Sequence, residues 1–179
     1  MKKKVAVLIP TMKEGGAERI ASNLSLNFPD EWEKYLILFE NTSIDYPING
    51  IVINLDTKAS KKDPFYKKIK NVLKRIIKLR RLKRELKIDV TISLLDGGNL
   101  VNIFSRTQDK IILSVHSYKS KRIKTFYDKI HKLVIQYFYN KADSIVAVSQ
   151  MVKEDLIDKF QVPKEKIEVI YNGFESEKI

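Results

Sequence analysis

Apolar residues fall along the chain in two rhythms. Short compact runs at 5–9, 35–39, 51–55, 90–95, 111–115, 144–148 and 167–170 are rich in Val, Ile and Leu. A run this continuous is the pattern of a strand covered on both faces. Between most of them, apolar residues recur at helical spacing: at 17–28, where Ile20, Leu24 and Phe28 share one face, and again at 64–86, 99–106, 123–140 and 151–160. Strands alternating with helices predict an α/β fold, a Rossmann-like doubly wound parallel sheet with helices on both faces and right-handed crossovers.

The punctuation agrees with this parsing. Asn, Thr, Ser, Asp, Pro and Gly crowd 41–50 and mark a loop. Pro64 suits the first turn of a helix. Asp96-Gly97-Gly98 predicts a turn that closes the strand at 95, Ser149 reads as an N-cap, and Val162-Pro163 ends the helix before it. The first ten residues offer too short an apolar run for a signal sequence, and no window approaches the ~20 apolar residues that span a bilayer. We therefore expect a soluble or peripheral protein.

In a doubly wound sheet, ligands bind beyond the carboxyl ends of the strands, so the residues just after each strand are the candidates. Gly15 and Gly16 lie between the first strand and the first helix. Glycine there admits a close ligand, and helix-start N–H groups favour an anion. The alternative is a tight turn that needs positive φ. Neither G-x-G-x-x-G nor a Walker lysine motif is present. His116 follows the strand at 111–115 directly, where an imidazole can bond a sugar hydroxyl or exchange a proton, or simply serve structure. His131 sits in a helical pattern with Tyr127 and Ile135 and is expected to be structural. Asp96 is a turn former and also a hydroxyl acceptor; Ser149, besides capping, faces the same edge.

Composition adds little except through charge. At 44% hydrophobic, the 179 residues suffice for one buried core. Without cysteine there is no disulfide framework, and two distant histidines suggest no metal site. The net charge of +12 is concentrated: from position 67 to 87 eleven Lys or Arg face one acid, Glu85. On the helix at 64–86, Ile69, Val72, Leu73, Ile76, Ile77 and Leu79 form one broad apolar side, and Lys67, Lys70, Lys74, Lys78 and Arg81 gather opposite. Arg80, Lys83 and Arg84 enter the apolar sector, where they are expected to snorkel. Such a stripe addresses a polyanion: a membrane surface, a nucleic acid or an anionic glycan. Near an anionic leaflet each cation gains about 1 kcal/mol.

Four segments carry a resemblance: VAVLIPTMKEGGAERIASNL at the start, ILSVHS around His116, ADSIVAVSQMVKEDLIDKF, and VPKEKIEVIYNGFE. Together they resemble the amino-terminal, acceptor-side domain of family 4 glycosyltransferases, whose GT-B architecture faces two Rossmann-like domains. The resemblance covers essentially the whole chain. It implies retaining, metal-independent transfer of a hexose-type sugar from a nucleotide-sugar donor to a hydroxyl, in surface polysaccharide or glycolipid synthesis. The nucleotide sugar is then a substrate, and no cofactor is implied. Gly15 and Gly16 would line the donor diphosphate and acceptor region. His116 would contact the transferred sugar, and Asn172 and Gly173 would sit at the crossing to the second domain. The basic helix would match the membrane-facing helix of members that glycosylate lipid-linked acceptors, which implies a cytoplasmic protein on the inner face of the cell membrane. The expectation is that 1–179 forms one acceptor-binding domain. The nucleotide-binding domain with its E-x(7)-E glutamates lies outside it, so this chain alone is expected to be inactive. Two alternatives stand beside this reading. One is a non-catalytic partner subunit of a split transferase. The other is a polyanion- or nucleic-acid-binding module using the basic helix, for which helix-turn-helix, RNP and zinc signatures are all missing.

Overall fold

A computed structural model describes residues 2–40, 43–58, 60, 63–118, 120 and 126–172. Gly173 and the first residues of the helical pattern at 123–140 lie outside them. Seven strands form one sheet: β1 (Lys4–Ile9), β2 (Glu33–Leu38), β3 (Ile51–Asn54), β4 (Val90–Leu94), β5 (Lys110–Val115), β6 (Ser144–Ala147) and β7 (Ile167–Val169). All neighbours are parallel, in the order β3-β2-β1-β4-β5-β6-β7. The helices are α1 (Gly16–Asn27), α2 (Phe65–Leu86), α3 (Leu95–Phe104), α4 (Phe126–Phe138) and α5 (Gln150–Phe160). The expected doubly wound α/β sheet is therefore present. Its switch point lies between β1 and β4, where the chain winds first one way and then the other.

The alternation of side chains along β1 shows how the sequence covers both faces. Val7 and Ile9 pack with Ala17 and Ala21 of α1, whereas Ala6 and Leu8 pack with Leu79 of α2 and Val101 of α3. A third cluster gathers Ile111, Leu113 and Val115 of β5 with Tyr139, Leu156 and Phe160 under α4 and α5. The stretch from Ser43 to Gly50 is a loop, as its composition predicts, and it packs Tyr46 and Ile48 against the α1 cluster.

Two expectations are corrected here. Asp96-Gly97-Gly98 is not a turn before a helix at 99; it is the first turn of α3, which starts at Leu95 directly after β4. The reversal is made by Leu95 itself, at φ 65. The apolar side of α2 is also not one packed face. Leu79 is buried and Ile76, Leu82 and Leu86 pack partly against the sheet, while Ile69, Val72, Leu73 and Ile77 are exposed. Lys83 does not snorkel. It replaces an apolar residue on the inward face and is wholly buried, because Asp109 meets it there. Among the described residues, no helix is long and apolar enough to cross a membrane.

Candidate functional site

Strand register brings the candidates to one edge. Leu94 pairs with Ser114, and Val115 with Ala147. Asp96 and His116 each lie two residues beyond the first pair, at one level of adjacent strands. Ser149 lies two residues beyond Ala147, and Asn172, half-buried, three beyond the end of β7. Gly15 and Gly16 end the β1–α1 loop on the other side of β4. All are at the carboxyl edge, with Asp96 and the Gly15 loop flanking the switch crevice.

The β1–α1 loop is already furnished by its own chain. The N–H of Glu14 donates to Asp45 Oδ2 at 3.0 Å and that of Gly15 to the Tyr46 hydroxyl at 3.3 Å. The Glu18 carboxylate folds back into the space a Cβ on Gly15 would fill, 2.2 Å from that position. Gly15 is extended, at φ 173, so neither glycine is demanded by a left-handed turn. Gly16 has open space where a side chain would begin. With Asp45 and Glu18 at the start of α1, this corner suits neutral hydroxyls better than a phosphate.

Across the crevice the polar groups are tightly held. Ser114 Oγ and His116 Nε2 are 2.9 Å apart. The loop after His116 is anchored by Ser120, whose N–H donates to the buried Asp155 carboxylate at 3.1 Å. Ser149 caps α5 as expected, accepting from the Val152 N–H at 3.3 Å. Asp96 is half-exposed and hydrogen-bonded to the Tyr139 hydroxyl. Burial first, and then the charge of Asp96, push the Tyr139 phenol far above its usual value, so it stays protonated and donates.

Behind these groups runs a buried polar file that the sequence reading did not single out. Lys83 Nζ is 2.8 Å from Asp109 Oδ2 and donates to Asn102 Oδ1 at 2.7 Å. Asn102 Nδ2 donates to Ser93 Oγ at 3.0 Å, Ser93 Oγ to Asn99 Oδ1 at 2.8 Å, and Asn99 Nδ2 to the Tyr139 hydroxyl at 3.3 Å. Burial drives the Lys83 ammonium down to about 8 against the pull of Asp109. Burial also raises Asp109, but the Lys83 charge and hydrogen bonds from Lys83, Thr91 and Thr107 outweigh it and hold the carboxyl below its usual range. Its signals in the sequence are Lys83 within the apolar sector of the basic helix, and Asn99 and Asn102, three apart in the otherwise apolar stretch NLVNIF. Among the described residues no three His, Cys, Asp or Glu side chains come together as a metal would require.

Residues 14–178 match the family model described as Glycosyltransferase Family 4. The chain belongs to glycosyltransferase family 4. It is 28% identical over 182 residues to the N-acetylgalactosamine-N,N'-diacetylbacillosaminyl-diphospho-undecaprenol 4-alpha-N-acetylgalactosaminyltransferase of Campylobacter jejuni, covering 98% of this chain and 49% of that protein. Anabaena HepE, solved with UDP and glucose, superposes with a TM-score of 0.67 at 17% identity, over 96% of this chain and 45% of its own. The lipopolysaccharide outer core galactosyltransferase WaaB superposes with a TM-score of 0.69 at 15% identity, over 99% of this chain and 47% of its own. The family 4 chain thus spans about half the length of the relatives it matches, and the structural likeness establishes the Rossmann-like GT-B half.

On the surface of this glycosyltransferase domain, α2 divides its charges differently from the sequence expectation. Lys70 and Lys74 are exposed, without an acidic partner among the described residues. Lys67 pairs with Asp63 at 2.8 Å and Arg81 with Glu85 at 2.6 Å. Lys78 leaves the basic face and donates to the Leu55 carbonyl. Between the cations lies an outward apolar stripe: Phe65, Tyr66, Ile69, Leu73 and Ile77, of which Leu73 is 54% and Ile77 68% exposed. A broad cleft of about 1580 Å³ lies at the opposite, amino edge of the sheet, where Lys2, Lys3, Arg84, Lys87 and Lys110 line it. It extends the basic surface beyond α2. It is remote from Asp96 and His116, and the switch crevice is where a doubly wound sheet gathers its chemistry.

Proposed function

We propose that this chain is the acceptor-binding half of a retaining glycosyltransferase, moving a sugar from a nucleotide-sugar donor to a lipid-linked or membrane-proximal glycan. The outward face of α2 carries this reading. Apolar residues flanked by lysines on one exposed helix face suit the boundary of an anionic leaflet, where the apolar side chains leave water and each cation adds about 1 kcal/mol. The family relative whose name specifies a diphospho-undecaprenol acceptor supports a lipid-linked substrate here. The crevice supports the acceptor role, since its loop start is lined with carboxylates and bonded N–H groups. In this reading Asp96 accepts a hydrogen bond from the acceptor hydroxyl and His116 contacts the transferred sugar. Gly16 leaves room for the glycan, and Ser149 and Asn172 border the same edge. A second domain, with Gly173 at the crossing, supplies the contacts to the nucleotide and diphosphate. The protein works on the cytoplasmic face of the membrane.

Flotation with vesicles tests the membrane part. Binding to vesicles containing phosphatidylglycerol, and its loss in Leu73→Glu and Ile77→Glu, is the expected result; equal flotation with neutral and anionic vesicles, or with neither, removes the membrane from the proposal. Transfer is tested by label carried from a nucleotide sugar into extractable lipid, which Asp96→Ala and His116→Ala are expected to abolish.

A further inference from the structure

We propose that Asn99 and Tyr139 are positioning residues that set the Asp96 carboxylate at the acceptor site, as the last links of one hydrogen-bond chain that begins at Lys83. The proposal rests on the acceptor-site reading of Asp96. The chain runs Lys83, Asn102, Ser93, Asn99, Tyr139, Asp96, and the first five links are all buried.

Its direction is fixed by groups that can act in only one sense. The Lys83 ammonium only donates, so Asn102 must present its oxygen to it, at 2.7 Å. The Asn102 nitrogen then faces the Thr91 carbonyl at 3.2 Å and Ser93 Oγ at 3.0 Å. Ser93, having accepted, gives its proton to Asn99 Oδ1 at 2.8 Å, much the nearer of its two acceptors, the Ile112 carbonyl lying at 3.4 Å. Asn99 is oriented a second time by the Ser114 carbonyl, which only accepts, at 3.1 Å from its nitrogen. The other amide hydrogen goes to the Tyr139 oxygen, which leaves the phenolic proton for Asp96. Every donor thus points from the ammonium at one end to the carboxylate at the other, an arrangement in which each bond polarises the next.

The same Asn99 amide reaches both halves of the crevice. Through Tyr139 it holds Asp96, and through Ser114, whose hydroxyl lies 2.9 Å from His116 Nε2, it holds the neighbouring strand end. Leu95 gives an independent sign that the geometry here is enforced. A bulky residue at φ 65 lies in the left-handed region, which persists only where the surroundings over-determine it. It turns the backbone so that Asp96 stands in the first turn of α3 at the switch crevice, while Asn99 and Asn102 tie α3 to β4 and β5. Apolar side chains would fill the same space without needing any of these bonds; what the polar file adds is one orientation for Asp96.

The test cuts the chain at two places. Tyr139→Phe keeps the ring in its cluster and removes only the hydroxyl; Ser93→Ala cuts three links away from Asp96. In the 179-residue chain, labelled with 13C, the Asp96 carboxyl resonance at pH 7 is expected to move in both variants. A resonance unmoved by Ser93→Ala shows that the file is not one chain and overturns the proposal. In the intact enzyme each variant is expected to lower kcat about 10-fold or more while KM for the nucleotide sugar stays within about 2-fold, because a misplaced acceptor group slows the chemistry and leaves donor binding alone. The double variant is expected to be no slower than the slower single, since a chain already cut loses little from a second cut. Unchanged kcat in variants whose Asp96 resonance has moved also overturns the proposal. A wild-type protein that transfers no sugar removes the acceptor reading of Asp96, and the assigned role with it, while the resonance shifts report separately whether the chain exists. Should Ser93→Ala not fold, Ser93→Cys, nearly isosteric but a weak donor, makes the same cut.

Discussion

Lys83→Met isolates the least forgiving contact in the fold. The side chains of Lys83 and Asp109 are both wholly shielded from solvent, 2.8 Å apart at Nζ and Oδ2. Methionine keeps most of the lysine stem, so the packing of α2 on β1, β2 and α3 is largely spared and the change is electrostatic. Among the described residues it leaves the Asp109 carboxylate with donors from Thr91 at 2.7 Å and from the Thr107 N–H and hydroxyl at 3.1 and 2.8 Å, and leaves Asn102 Oδ1 without its ammonium donor. Removing one partner of a buried ion pair costs about 3–5 kcal/mol, a large part of the 5–15 kcal/mol or so that holds a typical domain folded. With a urea m-value of about 2 kcal/mol/M, the unfolding midpoint is expected to fall by roughly 1.5–2.5 M at unchanged m. Arg81→Met is the control. Its ion pair with Glu85 is exposed on both sides and screened by solvent, and its loss is expected to leave the midpoint close to that of the wild type. A Lys83→Met midpoint within experimental error of the wild type, or an equal loss from Arg81→Met, would refute this reasoning.

Two further outcomes can be checked on the isolated chain. Asp109 is held below its ordinary value of 3.8 in the folded state, so the unfolded chain binds more protons in that window. The stability it contributes is therefore present above about pH 4 and lost as pH falls below it; thermal melts are expected to show an acid decline that Asp109→Asn, though less stable at pH 7, no longer shows at that site. Ser149→Ala removes the N-cap of α5 and is expected to cost about 1 kcal/mol, read as a lowered urea midpoint, whereas Ser149→Asp, which can cap in its place, should recover most of it.

The fold was legible because strand burial and helix period are local signals. Continuous apolar runs such as that in β1 and the amphipathic spacing of α1 were enough to name a doubly wound sheet, and the capping serine at 149 marked its helix. The elements that misled were those decided by tertiary partners. Asp96-Gly97-Gly98 has the composition of a turn, yet α3 starts before it because Leu95 takes the left-handed conformation and Gly98 packs close to the Leu8 carbonyl, which a Cβ there would meet at 3.4 Å. The apolar positions of α2 counted as one face, but only Ile76, Leu79, Leu82 and Leu86 meet the sheet, and the remainder face out. Lys83 stands out in the sequence only as a cation in the apolar sector, expected to snorkel, because its partner, Asp109, is distant in sequence and reaches it through the β4–β5 pairing. His116, Asp96, Ser149 and Asn172 were found by their positions after strands, a rule that locates the edge of the sheet. The rule does not reach Asn99 and Tyr139, which lie inside helical elements behind that edge.

In the proposed reaction this chain presents a membrane-bound acceptor hydroxyl to a sugar held by a nucleotide. The most direct measurement supplies radiolabelled nucleotide sugars one at a time, among them UDP-glucose, UDP-N-acetylgalactosamine and GDP-mannose, to the intact protein with membranes of its own cell, and counts label extracted into chloroform–methanol. Label entering the lipid fraction with one donor, lost in Asp96→Ala and in His116→Ala while both variants remain folded, is the expected result. Label that stays in the aqueous phase with every donor, or transfer that survives both substitutions, would contradict it.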